Sequence, residues 1–185
     1  MISTSEFRNG MVLRLEGQLF FLVEFDPYKP GKGAAVVRTR LKNVKTGAVI
    51  DRTYRSGEKL EDVRLERRQM QYLYKSDDLY HFMDNETFDQ FGLDGDMVGD
   101  AVKYLKESES VDVLVAENAP LSVELPIFVE LAVKQTDPGI RGDTASGGSK
   151  PAVLETGAMV QVPLFVETGD VLKIDTRTDT YVERA

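Results

Sequence analysis

Apolar residues in this chain come in short bursts, each closed by turn-forming residues. The longest unbroken apolar run is Leu19 to Val23. Turn clusters interrupt the pattern repeatedly, at Gly17-Gln18, Pro30-Gly31-Lys32-Gly33, Thr46-Gly47, Ser56-Gly57 and Ser76-Asp77-Asp78. Short β-rich runs with this punctuation indicate an all-β chain of small barrels or sandwiches. The expected strands in the first third are Met11 to Glu16, Leu19 to Asp26, Ala34 to Val44 and Ala48 to Arg55. Further along they are Gln69 to Tyr74, Leu79 to Met83, Val111 to Ala116 and Leu121 to Leu125. The last group is Phe128 to Gln135, Met159 to Val166, Val171 to Thr176 and Thr180 to Arg184. One helix is expected, from Asp94 to Glu107, where Met97, Val98, Ala101, Val102 and Leu105 recur at helical spacing. Asn85 to Phe91 reads as a short helical turn, and Asp137 to Pro151 as a long polar loop.

Boundaries fall near residue 64 and at Pro126, giving domains over 1–64, 65–127 and 128–185. The second and third are each about 60 residues, which suits a five-stranded Greek-key barrel whose loops bind oligonucleotides. Cores this small are marginal alone, so neighbouring domains are expected to brace one another.

Charge is divided unevenly. Residues 1–64 hold 12 Lys/Arg and 8 Asp/Glu, net +4, whereas residues 65–185 hold 11 and 23, net −12. Between Tyr28 and Ile50 there are six cations, Lys29, Lys32, Arg38, Arg40, Lys42 and Lys45, and no acid. A cationic stretch on an acidic chain predicts an anionic partner met at one spot. Alternation along the third strand puts Val36, Arg38, Arg40 and Lys42 on one face and Val37, Thr39 and Leu41 on the other. Lys29, Arg38, Arg40 and Lys42 are therefore candidate phosphate contacts. Gly31 and Gly33 allow a tight reversal, which projects Lys32 from a hairpin tip. At about 3.3 Å per residue, residues 19–29 reach at most roughly 36 Å.

Several functional classes are disfavoured. There are no cysteines and one histidine, so disulfides, thiolate metal sites and multi-histidine zinc sites are excluded. No cofactor is implied. His81, in Tyr80-His81-Phe82, reads as structural. No Gly-x-Ser-x-Gly elbow or spaced catalytic carboxylates occur, so no catalytic residue is assigned and an enzyme is not expected. No apolar run approaches the about 20 residues of a membrane span. Met1 to Glu6 lacks the basic and apolar regions of a signal peptide, so a cytoplasmic protein is expected. The glycine-rich loop fails as a phosphate loop, because Gly148 stands where its lysine must be and Lys150 comes two residues late. Arg141-Gly142-Asp143 carries no weight as an adhesion tripeptide without export features.

These residues also form a recognisable pattern. The Met1-Ile2-Ser3 start, Phe7-Arg8-Asn9-Gly10, Lys29-Pro30-Gly31-Lys32-Gly33, Gln71-Tyr72-Leu73-Tyr74, Phe82-Met83-Asp84 and Val123-Glu124-Leu125-Pro126 resemble the bacterial elongation factor P family. The longest stretch runs from Asp137 to Ala152 and continues through Leu154-Glu155-Thr156-Gly157 to Val166. The resemblance implies an SH3-like (KOW-like) N-terminal barrel and two OB-fold-like barrels in an L-shaped, tRNA-like arrangement. It implies a monomer that binds the 70S ribosome beside peptidyl-tRNA in the P site and relieves stalling at consecutive prolines. The tip Pro30, Gly31, Lys32 and Gly33 then contacts tRNA, with Lys32 the target of a lysine-modifying enzyme. The loop residues Gly142, Asp143, Thr144, Ser146, Gly147 and Gly148 then approach mRNA in the exit site. Lysine at 32 argues against the branch that carries arginine there. The intact tip and loop argue against a paralogous family in which both are altered. A general single-stranded RNA binder of OB type is the alternative.

Overall fold

The computed structural model describes residues 1–139 and 148–185. Three antiparallel sheets account for nearly all of its regular structure, as the turn spacing predicts. The first contains β1 (Ile2–Ser3), β2 (Val12–Leu15), β3 (Gln18–Tyr28), β4 (Val36–Asn43), β5 (Val49–Arg55) and β6 (Lys59–Val63). Its spatial order is β1-β6-β2-β3-β4-β5. The second contains β7 (Glu66–Ser76), β8 (Leu79–Asp84), β9 (Gln90–Asp94), β10 (Ser110–Ala116) and β11 (Ala119–Glu124), in the order β11-β10-β7-β8-β9. The third contains β12 (Phe128–Thr136), β13 (Ser149–Leu154), β14 (Met159–Pro163), β15 (Val171–Asp175) and β16 (Thr180–Arg184), in the order β14-β13-β12-β15-β16.

By compactness the chain forms two units, Met1–Arg68 with Val113–Ser122, and Gln69–Asp112 with Val123–Ala185. In the first unit both faces of β2 and β3 are covered. Leu13, Leu15, Phe20 and Leu22 join Phe7, Val37, Leu41 and Tyr54 on one side. Val12, packed with Leu19 and Phe21, meets Ala116 and Leu121 on the other. That double burial explains why Leu19 to Leu22 is continuously apolar rather than alternating, whereas Val23 beyond them is exposed. In the second unit Leu131, Val133, Leu154, Val162, Leu172 and Ile174 build a core that also takes in Tyr104.

The expected helix is largely absent. Only Gly95–Val98 is α-helical, and Gly99–Lys103 follows as a 3-10 stretch. Gly99 adopts φ +62 and ends the α-helix there. The apolar spacing still reports burial, because Val98, Ala101 and Leu105 are all inside. The expected turn at Asn85 to Phe91 is present over Asn85–Thr87, with β9 beginning at Gln90, and the expected loop through Pro151 is shortened by β13. Pro151 lies beyond the last β12–β13 pair, Thr136 with Ala152, where a missing N–H breaks no β12 ladder. Among the described residues no helix is long and apolar enough to cross a membrane.

Candidate nucleic-acid interface

The expected tip is the end of a three-stranded finger. β3 pairs with β4 from Phe20 with Asn43 out to Tyr28 with Val36. β5 pairs along the far side of β4 from Lys42 with Val49 to Val36 with Arg55. On its other edge β3 pairs with β2 only from Gln18 to Phe21, apart from backbone bonds joining Leu22 to Gly10 and Met11. From Val23 to Tyr28 that edge therefore has no strand beside it among the described residues, over about 20 Å. Pro27 stands on this open edge, where its missing N–H leaves no ladder bond unmade.

Residues 29–35 close the finger. Gly31, Lys32 and Gly33 form a bend, and Lys29 and Lys32 are exposed. Gly33 adopts φ +122, with Pro30 Cγ beside the place a Cβ would occupy. Glycine suits that conformation because other residues resist it. The Lys29 and Lys32 ammonium groups make no hydrogen bond or ion pair with any described residue. Arg38 lies over the Tyr28 ring at 4.7 Å, just below the tip.

β4 alternates as the sequence predicts. Val37, Thr39, Leu41 and Asn43 are buried, and Arg38, Arg40 and Lys42 are exposed on the opposite face. The face is not purely cationic, however. Arg40 contacts Glu24 at 3.4 Å and Asp51 at 3.2 Å. Lys42 stands six residues from Val36, near the barrel and away from the tip, and Lys45 belongs to the turn at the opposite end of β4.

Of the loop candidates, Gly142, Asp143, Thr144, Ser146 and Gly147 lie outside the described residues, and Gly148 lies within them. The loop's two stems are tied together. Lys150 is 6% exposed, and its Nζ donates to the Asp137 carbonyl at 2.6 Å. Thr136 Oγ1 donates to the Pro151 carbonyl at 2.9 Å. A Cβ on Gly139 would lie 2.2 Å from the Leu164 carbonyl oxygen, so the backbones meet closely there. Gly139, Gly148, Ser149, Gln161, Phe165 and Tyr181 line a groove beside these stems.

His81, read from the sequence as structural, lies on β8. It is only half-buried and stacks on the exposed Tyr74, with centroids 4.6 Å apart and 25° between the planes. The alternation of β8 carries the signal, since Tyr80 and Phe82 are the buried partners on either side. Among the described residues no cluster of metal-ligating side chains occurs.

Comparison with known proteins supplies the family. The family model described as the elongation factor P KOW-like domain matches residues 3–60, the elongation factor P OB domain matches 65–123, and the elongation factor P C-terminal domain matches 129–184. Elongation factor P of Pelotomaculum thermopropionicum is 57% identical over 184 residues and covers 100% of both chains. That of Moorella thermoacetica is 56% identical over 185 residues, again covering 100% of both. A solved structure described as eukaryotic translation initiation factor 5A from Methanococcus jannaschii shares the fold, with TM-score 0.56 and 19% identity over 67% of this chain and 91% of that one. Three successive domain matches, in an all-β chain whose full-length relatives exceed half identity, show that it belongs to the elongation factor P family, a family of translation factors rather than enzymes.

Proposed function

We propose that this chain binds the ribosome beside peptidyl-tRNA in the P site and promotes peptide-bond formation at consecutive prolines. The observation that carries the reading is the Lys32 ammonium, exposed at the end of a narrow β finger and unpaired with any described residue. Peptide transfer needs the amine and the ester carbon in near-attack geometry, and a misplacement of about 1 Å can cost on the order of 100-fold. Proline's ring restricts its own backbone and that of the residue before it. A cationic finger on the tRNA acceptor end limits its wandering. The factor supplies positioning and the ribosome supplies the chemistry.

Pro30, Gly31, Lys32 and Gly33 form the tRNA-contacting tip in this reading, and Lys29, Arg38 and Lys42 contact phosphates. Lys32 is also the site where a modifying enzyme extends the side chain. The loop carrying Gly142 to Gly148 approaches mRNA at the exit site, a role that rests on the sequence resemblance. The chain acts as a cytoplasmic monomer.

The test is Lys32→Ala assayed on a triple-proline reporter in a strain lacking the endogenous factor. Rescue is expected to disappear while the melting temperature stays unchanged. Full rescue by the variant removes the tip from the mechanism.

A second reading, general single-stranded RNA binding through the middle domain, is favoured by the exposed Tyr74–His81 stack, because aromatic faces hold unpaired bases. Asp77 and Asp78 in the adjoining turn oppose it. Tyr74→Ala weakens binding to an oligouridylate under this reading and leaves the proline reporter unaffected.

A further inference from the structure

The finger changes phase at Val23. Leu22 pairs with Leu41, but the next pair is Glu24 with Arg40, so two β3 residues oppose one β4 residue. This is a β-bulge. On the barrel side of it Phe20 and Leu22 face the core. On the tip side Phe25 takes over, with its ring 6.0 Å from that of Phe7. Strict alternation from Leu22 would have turned Glu24 and Asp26 inward. The bulge turns them out instead, onto the face that carries Arg38, Arg40 and Lys42.

The three cations are matched unequally. Arg40 sits between Glu24 on β3 and Asp51 on β5 and touches both. Arg38 has Asp26 on one side and Thr53 on the other. Lys42 lies between Phe21 and Val49, with no acid opposite. Positive charge with no acid opposite is therefore concentrated at the tip and at the base of the finger, whereas Arg40 lies between two carboxylates.

We propose that Glu24 and Asp51 are specificity residues, which neutralise Arg40 so that the flank of the finger does not hold RNA phosphates. Phosphate contacts by cations carry no sequence information, and an unbroken row of them binds any RNA. Exposed ion pairs of this kind contribute little to stability, so folding alone does not account for the arrangement. Arg40 thereby leaves the set of phosphate contacts that alternation alone assigns. The inference rests on the reading of the finger as RNA-facing, and it names the part of the finger that RNA does not grip.

The experiment compares the wild-type chain with Glu24→Gln/Asp51→Asn by fluorescence anisotropy on a labelled 20-nucleotide oligouridylate across a salt series. The double variant is expected to bind more tightly at low salt, with a log–log salt slope steeper by about 0.7, one single-strand phosphate contact. Adding Arg40→Gln to the double variant is expected to return the wild-type slope. An unchanged slope, or a gain that survives Arg40→Gln, overturns the proposal. Asp51→Asn alone keeps β3 intact and is expected to show a smaller gain of the same sign. A reporter indifferent to Lys32→Ala marks failure of the tip reading, whereas a flat slope marks failure of this one.

Discussion

Two hairpins in this protein use a lysine in opposite ways, Lys32 within the β3–β4 connection and Lys150 on the strand that follows the β12–β13 connection. Between β3 and β4 the ladder runs to its last pair, Tyr28 with Val36, and seven residues close the turn. The ladder alone fixes the shape, so Lys32 stays in solvent. Between β12 and β13 the connection runs from Asp137 to Gly148, and the stems need other ties. There Lys150 is buried, and its ammonium is bonded to a backbone carbonyl. Among the described residues no carboxylate pairs with it. The bond to the Asp137 carbonyl marks holding the stems as its task. A cation is available to a partner only where the backbone has no need of it.

The contrast is broken most directly by shortening each lysine. Lys150→Ala leaves a cavity and an unsatisfied Asp137 carbonyl, and is expected to lower unfolding stability by about 2–4 kcal/mol in urea titration. Lys32→Ala is expected to change it by less than about 0.5 kcal/mol. Equal effects would erase the distinction. Glycines sharpen it next. Gly139→Ala drives a Cβ into the Leu164 carbonyl and is expected to cost about 1–3 kcal/mol. Gly31→Ala enters open space at an ordinary φ and is expected to be nearly neutral by the same titration.

The smallest effect concerns a third connection, between β15 and β16, where the exposed Asp179 adopts φ +55. Asp179 accepts a hydrogen bond from the Tyr104 hydroxyl and pairs with Lys103. The Tyr104 hydrogen bond holds its carboxyl below the usual range, with a lesser contribution from Lys103. Burial, and then Asp179, push the Tyr104 hydroxyl upward. A depressed carboxylate stabilises the fold fully at neutral pH and loses that contribution as pH falls below about 4. Asp179→Asn keeps a residue that tolerates the turn, and is expected to flatten the acid limb of a melting-temperature profile slightly. A limb unchanged from wild type would show that Asp179 acts only as a turn residue.

The sequence made the charged face of β4 legible, because Val37, Thr39 and Leu41 alternate strictly with the cations. It could not reveal the acids beside that face. Glu24 and Asp26 reach it through a bulge at Val23, and nothing in Leu22-Val23-Glu24 signals a change of phase. The segment after Asp94 misled for a related reason. Its apolar spacing describes which residues are buried, but Gly99 lets the chain bury them without a continuous helix. The parity of Tyr80 and Phe82 was legible too, and it puts His81 on the face opposite theirs. The Lys32 tip needed no long-range information, since two glycines and a proline define a turn locally.

The proline on the open edge of the finger has one further consequence. A bare strand edge is a template on which another extended chain can add itself. Pro27 offers no amide proton to such a visitor, and Glu24 and Asp26 give it charge to contend with. A finger with one bare edge is thereby protected from becoming the first rung of an aggregate.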